Sequence, residues 1–164
     1  MRGVASRYRV LGLDLSVSAS GWCFLAGSHV EGIGTIKPLA EDDGMLSRQI
    51  EIASEIESII IRYRPDYIYV EDVYYARNPK TYKTLVALQS LVVAGARRRR
   101  SRVVLKAPSS WRRLVGIAGK SDVKDRVSNG DLKFKVKFKP TMDALEAALI
   151  ALAGQYELSG AKDE

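Results

Sequence analysis

Cysteine and histidine are almost missing from this 164-residue chain, which has one of each, Cys23 and His29. A single cysteine excludes an intramolecular disulfide and a Cys-rich metal cage, and it fits a reducing compartment. His29 falls in a short hairpin with no second His or Cys to share an ion, so it receives no role. Ser16, Ser18 and Ser20 have no histidine base in any nearby motif, which argues against serine-hydrolase chemistry. Long apolar runs are absent too: nothing approaches the roughly 20 residues that span a bilayer. The opening "MRGVASR" lacks the apolar stretch of a signal peptide. The expectation is a cytoplasmic protein with no membrane partner. No internal repeat and no linker interrupt the chain, so its length is read as one domain over residues 1–164, loose from about residue 157 onward.

Bases outnumber acids. Lys and Arg total 26 against 19 Asp and Glu, a formal net charge of +7 with a sequence pI near 9.6. That imbalance favours a polyanionic partner such as nucleic acid. Apolar patterning then orders the chain. Residues 8–15, 21–26 and 29–36 read as three short strands in an antiparallel meander. "MLSRQIEIASEIESIIIRY" places Leu46, Ile50, Ala53, Ile56, Ile60 and Tyr63 at helical spacing. "DYIYVE" is a fourth strand, residues 81–98 a second helix and residues 101–107 a fifth strand. Helical crossovers between successive strands imply right-handed parallel connections. The predicted class is therefore α/β, a mixed five-stranded sheet of three antiparallel plus two parallel strands flanked by helices.

Downstream, "PSSWRRLVGI" opens as a helix with Trp111 as a partly buried anchor, and "KSDVKDRVSNG" reads as a short helix ending at Asn129 and Gly130. "KFKVKFK" (residues 133–139) alternates strictly, a strand with Phe134, Val136 and Phe138 on one side and lysines on the other. Those lysines suit either phosphate contact or the protection of an exposed sheet edge. "TMDALEAALIALAGQY" is a final apolar helix.

Four acids sit where acids are unexpected. Asp14 lies in "VLGLDL", whose neighbours indicate burial on both faces, and an unpaired charge there costs several kcal/mol. The carboxylate either accepts hydrogen bonds from the turn at residues 16–20 or meets a cation. Glu71 ends the central strand, where an ordinary solvent-facing charge is the alternative. Asp143 and Glu146 stand three apart on one helix face. "DALE" is also a D-x-x-E capping box if the helix begins at Ala144; a start at or before Met142 leaves Asp143 free to face the sheet. Together the four suit hard divalent cations such as Mg²⁺, which take carboxylate oxygens. Two such ions roughly 4 Å apart assist phosphodiester cleavage.

The order of strand with Asp14, helix, strand-end Glu71, helix, strand, then a helix with Asp143 and Glu146 resembles the RuvC group of Holliday junction resolvases in the RNase H-like superfamily. The likeness runs from "VLGLDLSVSASGW" through "RPDYIYVEDVYYARNPKT" and "APSSWRRLVGIAGKSDVK" to "DALEAALIALA". The resemblance implies an Mg²⁺-dependent endonuclease using two ions, with Mn²⁺ as a substitute and no small-molecule cofactor. It further implies a nucleoid-associated homodimer that nicks branched DNA in pairs, leaving 5′-phosphate ends. Asp14, Glu71, Asp143 and Glu146 match the metal-binding acids. Lys120 matches a lysine beside the metals. Tyr74 matches a base-stacking aromatic, and Asn78, Lys80, Lys83 and Arg112 fall on DNA-lining positions. Leu85, Leu88 and Leu91 match the dimer helix.

Three features depart from the pattern. "DLSVSASG" lacks a Pro-Gly after the aspartate, Glu146 stands where Asp is commoner, and residues 133–139 have no counterpart in the family pattern. An RNase H-like nuclease acting on structured RNA or a hybrid stays open on these residues. So does a non-catalytic branched-DNA-binding module whose acids cap helices.

Overall fold

The computed structural model describes residues 8–39, 44–74, 78–139 and 141–160. The chain opens with the expected meander, β1 (Arg9–Asp14), β2 (Ser20–Ala26) and β3 (His29–Ile36). Helix α1 (Gly44–Tyr63) leads to β4 (Tyr67–Glu71), parallel to β1, and α2 (Pro79–Arg98) leads to β5 (Arg102–Lys106), parallel to β4. Then follow α3 (Pro108–Val115), a 3₁₀ turn at Lys120–Asp122, α4 (Val123–Val127), β6 (Lys133–Phe134) and α5 (Met142–Gly160). The strand order is β5-β4-β1-β2-β3-β6. Among the described residues no helix is long and apolar enough to cross a membrane.

Two cores cover the two faces of the sheet. Leu11, Leu13, Ile68 and Val70 pack with Ile52, Ile56 and Ile60 of α1 and Leu88 and Val92 of α2. Val10 and Tyr69 pack on the other face with Trp111 of α3 and the alanine-rich body of α5. Central strands are therefore apolar on both sides, as parallel strands with helices on both faces are. Helix α5 is buried all round from Ala144 to Gln155, because it lies between the sheet and α3 and α4.

Two glycines set how closely α5 approaches. A Cβ added at Gly12 would stand 2.2 Å from the Ala147 carbonyl oxygen, and one at Gly21 would stand 2.0 Å from that of Asp143. Only a hydrogen at these positions lets the helix backbone rest on β1 and β2. The start of α5 is fixed separately: Thr141 Oγ1 accepts the Ala144 N–H at 3.2 Å and bonds Thr35 Oγ1 of β3 at 2.5 Å.

Several expectations are corrected. The sheet has six strands, not five, and "KFKVKFK" is strand only at residues 133–134, paired parallel to His29 and Val30. Beyond them the chain bends, stacking Phe134 on Phe138 with ring centroids 5.3 Å apart, while Val136 and Phe138 pack on the core. Residues 157–160 are helical, not a loose tail. Glu157 accepts the Tyr69 hydroxyl at 2.7 Å and pairs with Lys106, which anchors that last turn. In α1 the buried stripe is Gln49, Ile52, Ile56 and Ile60, whereas Leu46 and Ile50 are exposed. The Gln49 amide donates to the Thr84 carbonyl of α2 at 2.8 Å, which selects that face. Leu88, expected at a dimer interface, lies within the core of its own chain. Leu85 is half-buried and Leu91 exposed.

Helices α1 and α2 both end on arginine in the left-handed conformation, Arg64 at φ 47° and Arg100 at φ 61°. Ser101 N–H reaches the Ala96 carbonyl and Arg100 N–H that of Arg97, a Schellman motif; Arg64 N–H to the Ile60 carbonyl closes the simpler left-handed cap. Glycine occupies such sites without strain, and another residue costs roughly 1–2 kcal/mol at each.

Candidate active site

Parallel pairing of β1 and β4, with Leu13 opposite Val70, brings the ends of both strands to one edge of the sheet. Asp14 and Glu71 are the next residues along. From the other side, α5 begins at Met142, so Asp143 is helical and points toward the same edge with Glu146 one turn on. The capping role belongs to Thr141, and the D-x-x-E box does not form. The 16–20 turn is satisfied largely within itself: Ser16 N–H donates to Ser20 Oγ at 2.9 Å, and Ser20 Oγ donates to the Ser16 carbonyl at 2.6 Å. Both bland readings of the acids are thereby displaced.

Carboxylate oxygens of Asp14, Asp143 and Glu146 lie within 4.8 Å of one another. Burial raises the Asp14 carboxyl to about 8, reinforced by the hydrogen bond it donates to Glu146 when protonated and by the charges of Glu146, Glu71 and Asp143. So many like charges in a poorly hydrated space are unfavourable until a cation arrives. The donor set is all carboxylate oxygen, the hard type that Mg²⁺, Mn²⁺ and Ca²⁺ take. These residues fit a divalent ion.

Glu71 stands outside that mutual set, yet its charge is felt at Asp14. Its Oε2 accepts the indole N–H of Trp111 at 2.6 Å. Burial pushes the Glu71 carboxyl up, while the Trp111 hydrogen bond and the charges of Arg112 and Lys120 pull it down. Lys120 Nζ lies 4.0 Å from Glu146 Oε2. The basic rim thus partly offsets the acids.

Residues 10–153 match the family described as crossover junction endodeoxyribonuclease RuvC. The chain belongs to the RuvC family. Similar RuvC proteins include that of Prochlorococcus marinus, 29% identical over 159 residues (91% of this chain, 99% of that protein), and that of Actinobacillus succinogenes, 27% identical over 154 residues (91% and 80%). The fold matches Thermus thermophilus RuvC, solved with a Holliday junction substrate, at a TM-score of 0.79 and 20% identity over 93% of this chain and 96% of that one.

Within this RuvC-family frame the remaining site positions sort by exposure. Tyr74, three residues past Glu71, is 76% exposed, and Lys80, Lys83 and Lys120 are exposed. Asn78 also caps α2, its Oδ1 accepting the N–H groups of Lys80 and Thr81 at 3.0 and 3.4 Å. Arg112 lies beside Trp111, its guanidinium 5.4 Å from the ring centroid, and its buried Nε has no hydrogen-bond partner among the described residues. Residues 75–77 of the most family-like segment lie outside the described residues.

Sequence reading missed the link from Trp111 to Glu71. The indole is fully buried and donates to one oxygen of Glu71, while the other has no hydrogen-bond partner among the described residues. A hydrogen bond to a charged group is worth about 1.5–3 kcal/mol, and partners that orient metal-binding carboxylates change affinity by about 10–100-fold. Trp111→Phe keeps an aromatic ring and removes the donor. The expected outcome is a rise of about tenfold or more in the Mg²⁺ concentration needed for half-maximal cleavage. A titration with an unchanged midpoint would mean that the indole serves packing alone.

Proposed function

We propose that this chain is a divalent-metal endonuclease that cleaves four-way DNA junctions by phosphodiester hydrolysis, as a cytoplasmic, nucleoid-associated homodimer making paired nicks with 5′-phosphate ends. The observation that carries the reading is the convergence of Asp14, Asp143 and Glu146 from a strand and a helix more than a hundred residues apart. Asp14, Glu71, Asp143 and Glu146 would hold two Mg²⁺ ions there, with Mn²⁺ able to substitute. Bound ions of this type supply Lewis acidity to the phosphodiester and acidify the attacking water. The protein's own groups do the rest. Trp111 orients Glu71, and Gly21 with Thr141 seats Asp143. Lys120 and Arg112 set positive charge beside the carboxylates, where a scissile phosphate would lie.

Tyr74, exposed at the rim, has a free ring to stack on a base near the crossover. Asn78, Lys80 and Lys83 extend the same edge along the DNA, with Asn78 limited to its amide nitrogen by the capping bonds. Leu85 and Leu91 remain available on α2 for a second copy. A helix-capping module that merely binds branched DNA is disfavoured because Thr141, not Asp143, caps α5.

The test is cleavage of a synthetic mobile junction in Mg²⁺ or Mn²⁺, beside an RNA–DNA hybrid duplex and a structured RNA. Symmetric nicks in strands of like polarity on the junction, with little product from the others, are expected. Faster cleavage of hybrid or RNA would transfer the chemistry to a different substrate. Calorimetric Mg²⁺ titration without DNA should also show heat of binding.

A further inference from the structure

The end of the sheet opposite the carboxylates holds a cleft of about 820 Å³, bounded by the first residues of β4 and β5 and the last turns of α1 and α2. Arg64, Arg99, Arg100 and Arg102 line it, all exposed, beside the exposed Ile61, with Ile60 and Pro65 buried beneath. A second hollow of about 520 Å³ continues it along β5 and shares Arg100 and Arg102. The cations lining both are arginines and none is lysine. A guanidinium fork binds carboxylate or phosphate through two parallel hydrogen bonds, which an ammonium does not.

Fold stability accounts for only part of this arginine set. Arg98 and Arg99 pair with Glu57 at 3.1 and 3.2 Å and Arg102 Nη1 donates to the Tyr67 hydroxyl at 3.0 Å, but Arg64, Arg100 and Arg102 have no carboxylate partner among the described residues. The helix dipole rewards any cation in the last turn, and Arg97 and Arg98 already supply α2 with two. Arg64 and Arg100 instead occupy left-handed positions where glycine would be unstrained. The two caps are also stitched together, since Ser101 Oγ donates to the Pro65 carbonyl at 2.9 Å and Arg102 N–H to that of Asp66 at 3.1 Å. Strain retained at two neighbouring caps that open on one cleft points to the side chains' use.

We infer that this cleft docks a short acidic segment of another protein, its carboxylates on the arginine forks and an apolar side chain against the exposed Ile61. The volume falls within the range of about 300–1,000 Å³ typical of sites that enclose a compact ligand. A duplex backbone laid across the rim would meet the arginines but leave the apolar lining between them unused. A single strand is disfavoured because it needs an open aromatic face: Tyr67 is covered by the Arg102 guanidinium 5.7 Å from its centroid and met edge-on by Tyr8 at 5.4 Å. The one acid lining the cleft, Asp66, is engaged by the Arg9 N–H at 2.8 Å. Docking at this end of the sheet does not depend on junction cleavage at the other.

The probe is a labelled eight-residue peptide of alternating Glu and Leu, titrated by fluorescence anisotropy into the full chain. The same peptide with Gln for Glu, and an eight-nucleotide oligothymidine, are titrated beside it. Wild type should bind the Glu peptide about tenfold or more tightly than the Gln peptide. The double variant Arg64→Gly/Arg100→Gly should lose about tenfold or more of that affinity while its melting temperature rises and junction cleavage is unchanged. Failure of wild type to prefer the Glu peptide overturns the proposal, as does an affinity that survives the double substitution. Oligothymidine binding that falls with the same substitutions also overturns it, by making the cleft a nucleic-acid site.

Discussion

Asp14→Asn is expected to reduce junction cleavage by at least about a thousandfold and, in metal-free buffer at pH 8, to raise the melting temperature. The two effects have one cause. The Asp14 carboxyl titrates near 8 in the folded chain against an ordinary 3.8. Below about pH 4 both folded and unfolded forms carry the proton, and the group leaves stability unchanged. Between about pH 4 and 8 the unfolded chain ionises while the folded one resists, so the wild type loses stability as pH rises. Asparagine removes that loss and still offers a side-chain N–H to Glu146. A gain of about 2 kcal/mol at pH 8 is expected, equivalent to roughly 4–8 °C in a chain of this size. At about pH 4 the difference should vanish. Saturating Mg²⁺ should reverse the order, because ligand binding to the folded state stabilises the wild type more than a variant short of one carboxylate. Junction affinity should be little changed, since the role proposed for this carboxylate is to hold the ion and not the DNA backbone. A metal-free melting temperature that is lower in Asp14→Asn at pH 8 would contradict a crowded acid cluster. Cleavage at the normal rate would remove Asp14 from the chemistry.

How far the sequence announced this site depends on the distance over which each constraint acts. Asp14 and Glu71 were legible because an acid at the end of an apolar strand is locally anomalous, and Asp143 with Glu146 because spacing of three on a helix is a local rule. That they share one site was read from the four acids taken together, and the family pattern then matched each to its place. The choice between metal ligand and capping box at Asp143 was not legible, because Thr35, which bonds the true cap Thr141, lies 106 residues away. Trp111 reads as an apolar anchor in its own segment; its donor reaches Glu71 across 40 residues. The 133–139 segment shows the opposite failure. Its alternation is a genuine strand pattern, but β3 offers it only a short pairing edge at His29 and Val30, and the core takes Val136 and Phe138 by a bend. Arginine in a left-handed cap leaves no sequence signature, since that conformation is marked by glycine.

Gly21 carries the second large effect, although it bears no functional group. It pairs with Asp14 across β1 and β2, and its missing Cβ is the space into which the Asp143 carbonyl fits. Gly21→Ala would put carbon 2.0 Å from that oxygen and 2.8 Å from the Ala144 nitrogen. The obstacles are helix backbone, so no side chain can swing aside; the first turn of α5 must lift from the sheet. Overpacking of this kind costs about 1–3 kcal/mol, and a shift near 1 Å in a reacting group costs about a hundredfold in rate. Cleavage should therefore fall by about two orders of magnitude, with a weaker Mg²⁺ midpoint and a melting temperature lower by a few degrees. Gly160→Ala, where an added Cβ meets nothing within 4 Å, is the matched control and should change none of these. The distinguishing measurement is Mg²⁺ affinity in the folded variant well below its melting temperature. If Gly21→Ala binds the ion as tightly as wild type while stability alone falls, close approach of α5 serves packing and not the placement of Asp143.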